Sequence, residues 1–300
     1  FHPMSLKFFL EYFFIKLLLL ICKLFPKKII LIIFKLVGSF SYLFLFKRRK
    51  IALKNIELAF PKINKKEKRK IIKKSFHHFS EVIAYNFLVL CNKINKFNID
   101  DIVESNDLKK LISIVDKSSE GTLFLTGHIG NWECLSQFLS IKLPKKFYAI
   151  ARHMKNPLID RKIVNPIRDQ FNVNTFPKKN AIIRMLKILK KDNLAGILID
   201  QKLNDKMHVK IKFFDKYAKS TPLPAILQIR YKTPIVFVYM IKNSFDKYEL
   251  FFHELNSFDT RNKTETELVY EITSYHHKIL ENIIKKYPDQ WLWMHNRWKE

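Results

Sequence analysis

The sequence predicts an α/β fold in which helices connect the strands of a sheet. From residue 121 onwards, short apolar runs alternate with segments of helical periodicity. The runs are Leu123 to Leu125, Phe147 to Ala151, Leu194 to Ile199 and Ile235 to Met240. Such alternation is typical of a sheet with helical crossover connections. Because no repeat, Gly/Ser-rich linker or low-complexity stretch divides this region, we predict one domain here.

Residues 1–46 are predicted to be a membrane-associated helical segment. Lysines interrupt its apolar sequence, and the longest uncharged run, Leu36 to Phe46, is shorter than the roughly 20 residues that span a bilayer. Lys16, Lys23 and Lys27 are spaced seven and four residues apart, which places them on one helical face. This pattern predicts helices that lie in, or slant through, the membrane interface with their lysines at the headgroups. A tilted single span is the alternative.

A basic cluster, Lys47 to Lys50, follows the apolar segment. By the positive-inside rule, the cluster indicates that the rest of the chain is cytoplasmic. The segment lacks a small-residue cleavage site, which argues against a secretory signal that is removed. We therefore predict an anchor of N-terminal interfacial helices over residues 1–46 and a catalytic domain over residues 47–300.

The charge of the chain predicts an anionic partner. The formal net charge is +28, from 55 Lys and Arg against 27 Asp and Glu. Nucleic acid, an anionic membrane or an acidic protein would each match it. The 27 phenylalanines favour anionic membrane lipid, with no nucleic acid, because aromatic side chains insert into lipid. Cysteine and histidine spacings predict neither a disulfide framework nor a metal site.

The segment Thr126 to Glu133 joins a predicted strand to a predicted helix, and it carries the candidate chemistry. His128 and Glu133 would lie about 140° apart on a regular helix. They can meet only if His128 is on the turn and Glu133 is in the first turns of the helix, which Asn131 can cap. Three of the five glycines fall in residues 121–130, where the chain must turn.

The pair suits general-base catalysis. Glu133 would orient the imidazole, and His128 would take a proton from an attacking hydroxyl. The glycine amides and the helix N-terminus would stabilise an oxyanion. In an isolated HxxxxE pattern the alternative is more common: a histidine that closes a turn and a solvated glutamate.

The segment His128 to Glu133 resembles the HxGNWE signature of the late acyltransferases of lipid A biosynthesis, the lauroyl/myristoyl family. Further segments resemble the family in the same order along the chain. They are Asn55 to Pro61, Arg152 with Asn156-Pro157, Arg168, Asp200-Gln201, Val209 to Pro222 with Asp215 in place of the usual glycine, and Gln290 to Lys299.

The resemblance implies a glycerolipid-acyltransferase-like mixed sheet flanked by helices. It also implies O-acyl transfer from an acyl carrier protein thioester, or acyl-CoA, to a hydroxyl of a phosphorylated glycolipid such as a Kdo-lipid A precursor. The location implied is the bacterial inner membrane, with the catalytic domain on the cytoplasmic side. No cofactor is implied, because the thioester supplies the driving force.

Two alternatives to this function stay open. One is an acyltransferase for another glycolipid, such as phosphatidylinositol mannoside, and the other is a non-enzymatic basic membrane-binding protein. Glycerolipid acyltransferases also use a histidine-carboxylate motif, but they carry a Phe-Pro-Glu-Gly-Thr-Arg type block that this chain lacks.

The resemblance assigns His128 as the base and Glu133 as the residue that orients it. The predicted substrate-binding residues are Arg152, Asn156, Arg168, Asp200, Gln201 and Arg297. Ligands of open α/β sheets gather outside the carboxyl ends of strands, and arginines there can clamp a phosphate in a bidentate way. For Arg168 a surface salt bridge is the alternative, and for the closing segment it is an aromatic plug against the core.

Overall fold

A mixed sheet forms the centre of the fold in this computed structural model. The structure describes residues 5–118, 120–151, 154–178, 180–203, 207–243, 247–255, 258 and 261–298. Within them the strands are β1 (Val103–Glu104), β2 (Leu123–Thr126), β3 (Phe147–Ala151), β4 (Asn174–Pro177), β5 (Leu194–Leu198), β6 (Val209–Phe213), β7 (Lys216–Ser220), β8 (Ile235–Lys242) and β9 (Tyr248–Glu254).

Seven of the strands described pair in the order β1-β9-β8-β2-β5-β3-β4, and β6 and β7 form a separate antiparallel hairpin. The central strand β2 is parallel to β5 and β8, and β3 is parallel to β5 and β4. In contrast, β9 is antiparallel to β8 and parallel to β1. The predicted mixed α/β sheet flanked by helices is therefore confirmed.

Helices precede the sheet and connect its strands. They are α1 (Leu6–Leu24), α2 (Lys27–Phe44), α3 (Phe46–Ala59), α4 (Lys65–Leu90), α5 (Leu108–Lys117), α6 (Trp132–Lys142), α7 (Pro157–Ile159), α8 (Asn165–Gln170), α9 (Ala181–Leu189), α10 (Leu223–Tyr231) and α11 (Glu265–Lys286). A π-helical segment, Asp160–Val164, joins α7 to α8, and 3₁₀ turns lie at Ile99–Asp101 and Pro288–Gln290. The longest helices begin with side-chain caps, Asn64 on α4 and a Thr264 capping box on α11.

The sheet carries a hydrophobic core on each face. Along β2, Leu123 and Leu125 belong to one buried cluster and Phe124 to the other, because successive side chains of a strand point to opposite faces. A strand buried on both faces has a continuous apolar sequence. This burial explains why the run of β2 was recognisable in the sequence.

The helices α1 and α2 bury only narrow stripes against the rest of the protein. The buried positions are Leu19 and Cys22 on α1, and Ile30, Phe34 and Gly38 on α2. Within the described residues, 19 of the 27 exposed large hydrophobic side chains fall between residues 6 and 46.

None of the helices described is, by itself, long and apolar enough to cross a membrane. Only α2 and α3 taken together meet that test, and they are separated by a bend of 85°. Membrane association of the N-terminal segment remains a prediction, as does the division at residue 46.

Candidate active site

The turn between β2 and α6 holds His128 at the carboxyl end of the central strand. Asn131 caps α6, since its side-chain oxygen accepts a hydrogen bond from the backbone N–H of Cys134 at 3.0 Å. Glu133 lies in the first turn of that helix. The predicted cap and the predicted placement of the two titratable residues are both confirmed.

Gly130 allows this turn to pass close to β8. Its φ is +56°, and a Cβ atom added here would lie 1.7 Å from the carbonyl oxygen of Met240. The backbone N–H of Asn131 donates to that carbonyl at 3.0 Å, and the N–H of Gly130 donates to the carbonyl of Gln290 at 2.9 Å. Only glycine fits a position with both positive φ and such close backbone contact.

The closing segment of the chain supports the turn from the other side. The N–H of Leu292 donates to the carbonyl of His128 at 3.1 Å, and the indole N–H of Trp291 donates to Asp200 Oδ2 at 2.8 Å. Asn55 on α3 fixes this segment, because its amide donates to the carbonyl of Trp293 at 2.8 Å. The aromatic C-terminal phrase therefore packs directly behind the candidate site.

His128 and Asp200 form a hydrogen-bonded pair. Nδ1 of His128 lies 2.8 Å from Oδ1 of Asp200, and the backbone N–H of His128 donates to Oδ2 at 2.8 Å. The Asp200 side chain is 3% exposed and that of His128 is 16% exposed. Nε2 of His128 lies 3.1 Å from Nε2 of Gln201. If the amide donates there, Nδ1 carries the proton and Nε2 is the free base.

The orienting carboxylate predicted from the sequence was wrong: Asp200, not Glu133, is bonded to the imidazole. In the sheet, Thr126 of β2 pairs with Leu198 of β5, so positions two residues beyond each strand lie side by side. Glu133 instead accepts a hydrogen bond from the neighbouring Trp132 indole at 3.2 Å. Among the described contacts, His128 and Glu133 share no hydrogen bond.

Burial and charge shift the pKa values of these groups. Burial lowers the pKa of His128, but the charge and hydrogen bond of Asp200, with the charge of Glu133, outweigh it, so the pKa is raised overall. Burial opposes ionisation of Asp200 too, yet the charge and hydrogen bonds of His128 hold its pKa well below the usual range. Burial raises the pKa of Glu133 against the opposing charge of Arg168. The site therefore favours an ion pair between His128 and Asp200.

A cleft of about 300 Å³ opens beside His128, outside the carboxyl ends of β2, β3 and β5. Its wall is mainly apolar, formed by Ile150, Ala181, Ile197, Leu198, Leu203 and Leu223. Gln201, Thr221 and two lysines, Lys178 and Lys202, add polar groups. An apolar pocket with a few converging polar groups at strand ends is typical of a substrate site.

Two predicted substrate-binding residues have other partners. Asn156 is buried; its side-chain oxygen caps α7, and its amide donates to the carbonyl of Phe8 at 2.8 Å and to Glu11 at 3.0 Å. Arg297 is fully buried, and its guanidinium donates to the carbonyl of Lys219 at 2.7 Å and to the hydroxyl of Ser220. Burial lowers the pKa of Arg297 to about 10.

These positions do not support substrate contact. The Arg297 guanidinium is enclosed in the core and donates to the β6–β7 hairpin, so it has no face open to a phosphate. We therefore assign Arg297 to packing of the C-terminal segment on that hairpin. Asn156 links α1 to the segment after β3. Arg168 is half-buried on α8, close enough for its charge to act on Glu133. Arg152 lies outside the described residues.

The sequence did not single out the individual role of Trp291 or the cleft lysines. A buried indole N–H needs a hydrogen-bond acceptor. This requirement was the one feature of the sequence that could have predicted a polar partner for Trp291. Lys178 and Lys202 carried no such signal, because lysine is abundant along the whole chain. The described residues contain no group of three or more His, Cys, Asp or Glu side chains that could hold a metal ion.

The arrangement is suited to proton abstraction from a substrate hydroxyl. One imidazole nitrogen is held by a buried carboxylate, and the other faces a cleft with an apolar wall. A carboxylate in this position fixes the tautomer and stabilises the imidazolium that forms. Nucleophilic attack by the activated hydroxyl on an acyl group is the chemistry that such a pair supports.

Comparison with known proteins identifies the family. Residues 2–300 match the model of the family described as bacterial lipid A biosynthesis acyltransferase. A search of curated proteins finds no match. The family match identifies an acyltransferase that uses an acyl donor and a lipid acceptor. Since the match covers essentially the whole sequence, this chain belongs to the bacterial lipid A biosynthesis acyltransferase family.

Proposed function

We propose that this acyltransferase moves a fatty acyl chain from an acyl carrier protein thioester to a hydroxyl of a phosphorylated glycolipid, a Kdo-bearing lipid A precursor. The observation that carries the proposal is the His128–Asp200 pair at the mouth of the apolar cleft. An acyl chain can enter the cleft, and the acceptor hydroxyl can approach Nε2. The net charge of +28 also complements an acidic carrier protein and a phosphorylated acceptor.

In the proposed reaction, Nε2 of His128 removes the proton of the acceptor hydroxyl as its oxygen attacks the thioester carbonyl. The tetrahedral intermediate collapses with cleavage of the C–S bond, and the imidazolium returns the proton to the departing thiolate. Asp200 stabilises the imidazolium between these steps, which agrees with the raised pKa of His128. The products are an ester and the free thiol of the carrier.

Stabilising the oxyanion of the intermediate needs a positive charge or a hydrogen-bond donor, and three backbone N–H groups of the glycine turn are not free for it. The backbone N–H groups of His128, Gly130 and Asn131 already donate to Asp200 and to two carbonyls. We assign this electrostatic role to Lys202, which lines the cleft beside His128. A positive charge near the developing oxyanion lowers the barrier to its formation.

The enzyme is proposed to act at the cytoplasmic face of the bacterial inner membrane, with α1 and α2 in the interface. The concentration of exposed apolar side chains between residues 6 and 46 supports this placement, because a surface of this kind is unfavourable in water. Asn156 fixes α1 to the segment that follows β3, near the cleft. A lipid acceptor would then reach His128 without leaving the bilayer completely.

The test is acyl transfer in detergent micelles with a panel of carrier-protein thioesters and a Kdo-lipid A precursor. His128→Ala should reduce transfer by a factor of about 100 or more, the usual contribution of a general base. His253→Ala is the matched control, because His253 is an exposed histidine on β9 and should leave transfer unchanged. The preferred thioester would also report the length of the acyl chain.

Other outcomes would change the proposal in distinct ways. Thioester hydrolysis without transfer would retain the chemistry and point to a different acceptor, such as another glycolipid. Transfer that is equal in wild type and His128→Ala would reject the base. If every sample binds lipid but none transfers or hydrolyses a thioester, the alternative of a non-enzymatic membrane-binding protein would be supported.

A further inference from the structure

A second groove, of about 620 Å³, lies between α2, α4 and the end of β8. It shares no lining residue with the His128 cleft. Its lysines are Lys35, Lys70, Lys73, Lys74 and Lys242. Two carboxylates, Glu81 and Asp289, also line it, so five positive charges face two negative ones and leave an excess of three. The groove therefore attracts an anion.

Two of these lysines remain available for a ligand. Lys242 pairs with Glu81 at 2.8 Å, Lys74 pairs with Asp289 at 3.4 Å, and Lys70 pairs with Glu67 at 4.0 Å. In the part of the chain that the structure describes, Lys35 and Lys73 form no ion pair with a carboxylate. An incoming anion would meet these two ammonium groups without first breaking an existing pair.

The packing of α2 on α4 brings the two lysines to the same groove. At Gly38 the helices cross so closely that a Cβ atom would lie 3.0 Å from Cα of His77. Nε2 of His77 is 2.8 Å from Oγ of Ser39, which fixes the contact. Burial lowers the pKa of His77, and the charges of Lys73 and Lys35 lower it further. Both lysines are therefore close to the contact between the two helices. The close packing of α2 on α4 therefore fixes the positions of Lys35 and Lys73 in the groove.

The groove opens beside the exposed apolar surface of α2. Lys35 lies between Ile32, which is 59% exposed, and Leu36, which is 56% exposed. Phe40, one turn further along the helix, is 61% exposed. An anion bound by the lysines would have apolar protein surface next to it. The surface of a soluble acidic protein is largely polar and does not match this apolar surface. A lipid matches both features, because its phosphate lies directly above its acyl chains.

We propose that this groove binds the phosphate of an anionic membrane phospholipid, and that Lys35 and Lys73 are its principal contacts. The inference rests on the proposed membrane association of α1 and α2. In this arrangement the apolar helices supply insertion into the bilayer, and the groove supplies selectivity for charge. Together they fix the rotation of the domain on the membrane and hence the direction in which the His128 cleft faces.

The test compares the full chain with two variants that lose the same number of charges. Lys35→Gln with Lys73→Gln removes the proposed contacts. Lys109→Gln with Lys117→Gln is the matched control on α5, which contributes nothing to the groove. Binding is measured by co-sedimentation with phosphatidylcholine vesicles, with and without phosphatidylglycerol. Chemical acetylation with mass spectrometry then reports which lysines the vesicles protect.

We expect the groove variant to lose about 25-fold in affinity for anionic vesicles, at roughly fivefold for each lysine near an anionic surface. Its binding to phosphatidylcholine vesicles should match that of wild type, and the α5 variant should change by less than about threefold. Vesicles that contain phosphatidylglycerol should protect Lys35 and Lys73 from acetylation more than Lys109 and Lys117.

Four results would overturn the inference. Equal losses in both variants would mean that only net charge matters. Unchanged binding to anionic vesicles, with lost binding of an acidic carrier protein, would assign the groove to a protein. Wild-type binding that ignores lipid charge would reject the groove and leave membrane association intact, whereas no vesicle binding at all would reject the proposed association itself. Acyl transfer in micelles, measured in parallel, separates all of these from a failure of the proposed reaction.

Discussion

Nδ1 of His128 lies 2.8 Å from Oδ1 of Asp200, and the pairing of β2 with β5 accounts for this contact. Thr126 and Leu198 are neighbours in a parallel ladder, and each chain continues for two residues past that pair. His128 and Asp200 therefore leave adjacent strands at the same edge of the sheet. The strand pairing therefore brings the two residues close enough for their side chains to bond.

The pair predicts how transfer depends on pH. Neutral His128 is required as a base, and its pKa is raised above the ordinary value because the charge and hydrogen bond of Asp200 outweigh burial. We therefore expect kcat/KM to rise with pH through a pKa above about 6.5. The ion pair contributes its stability below the ordinary histidine pKa of about 6.5, as long as Asp200 is ionised. This stability is lost as pH rises through the raised pKa of His128, and also as pH falls through the lowered pKa of Asp200. A kcat/KM profile whose acid limb lies below pH 6 would contradict this assignment.

A comparison of two carboxylates tests which one orients the imidazole. Asp200→Asn removes the charge, and the two N–H groups that donate to Oδ2 would hold the remaining amide oxygen, so that the NH2 group faces Nδ1. We therefore expect a loss of transfer of at least about 100-fold and a lower pKa for His128. Glu133→Gln removes only a nearby charge. It should move the acid limb of kcat/KM less than Asp200→Asn does, whatever its effect on the rate. A larger movement in the Glu133 variant would restore the orientation predicted from the sequence.

Some strands could be predicted from their own residues, whereas others could not. β2 and β8 were recognisable because strands buried on both faces have continuous apolar runs. β6 was identified only through its resemblance to a family motif, in which Asp215 replaces the usual glycine. The structure explains how the chain turns at this position without a glycine. Phe214 and Asp215 have φ of +51° and +58° in the turn between β6 and β7, a conformation that aspartate tolerates better than most residues.

The candidate site was only partly recoverable for a related reason. His128 and Asp200 were each selected, but their contact depends on strand order, and one sequence without its fold does not give strand order. The burial of Arg297 was hidden in the same way, because a charged residue near a chain end is normally exposed. Gln201 beside His128 remains a predicted substrate contact, since its amide already lies at the cleft.

The apolar cleft should determine the length of the acyl chain. Ala181 lines it at the start of α9, and Ala181→Phe would fill part of the volume of about 300 Å³. We expect the preference to move towards shorter chains, at about tenfold or more for each methylene that no longer fits. Competition between two thioesters of different length measures the ratio directly. Ile183→Phe, on the exposed side of the same helix, is the control and should leave the ratio unchanged.

Substitutions of Arg297 and Arg168, the two arginines of the predicted site that the structure describes, should have different effects. One should reduce stability and the other should weaken substrate binding. Arg297→Gln leaves the carbonyl of Lys219 and the hydroxyl of Ser220 without their buried donor, so we expect a loss of at least about 2 kcal/mol in the free energy of unfolding. The folded fraction should keep its KM for the acceptor. Arg168→Gln changes a half-buried side chain on α8, and it should alter unfolding by less than about 1 kcal/mol while raising that KM. Denaturant unfolding and steady-state kinetics on both variants provide the measurement. A raised KM with unchanged stability in Arg297→Gln would mean that the guanidinium leaves the core to bind substrate, as the sequence alone predicted.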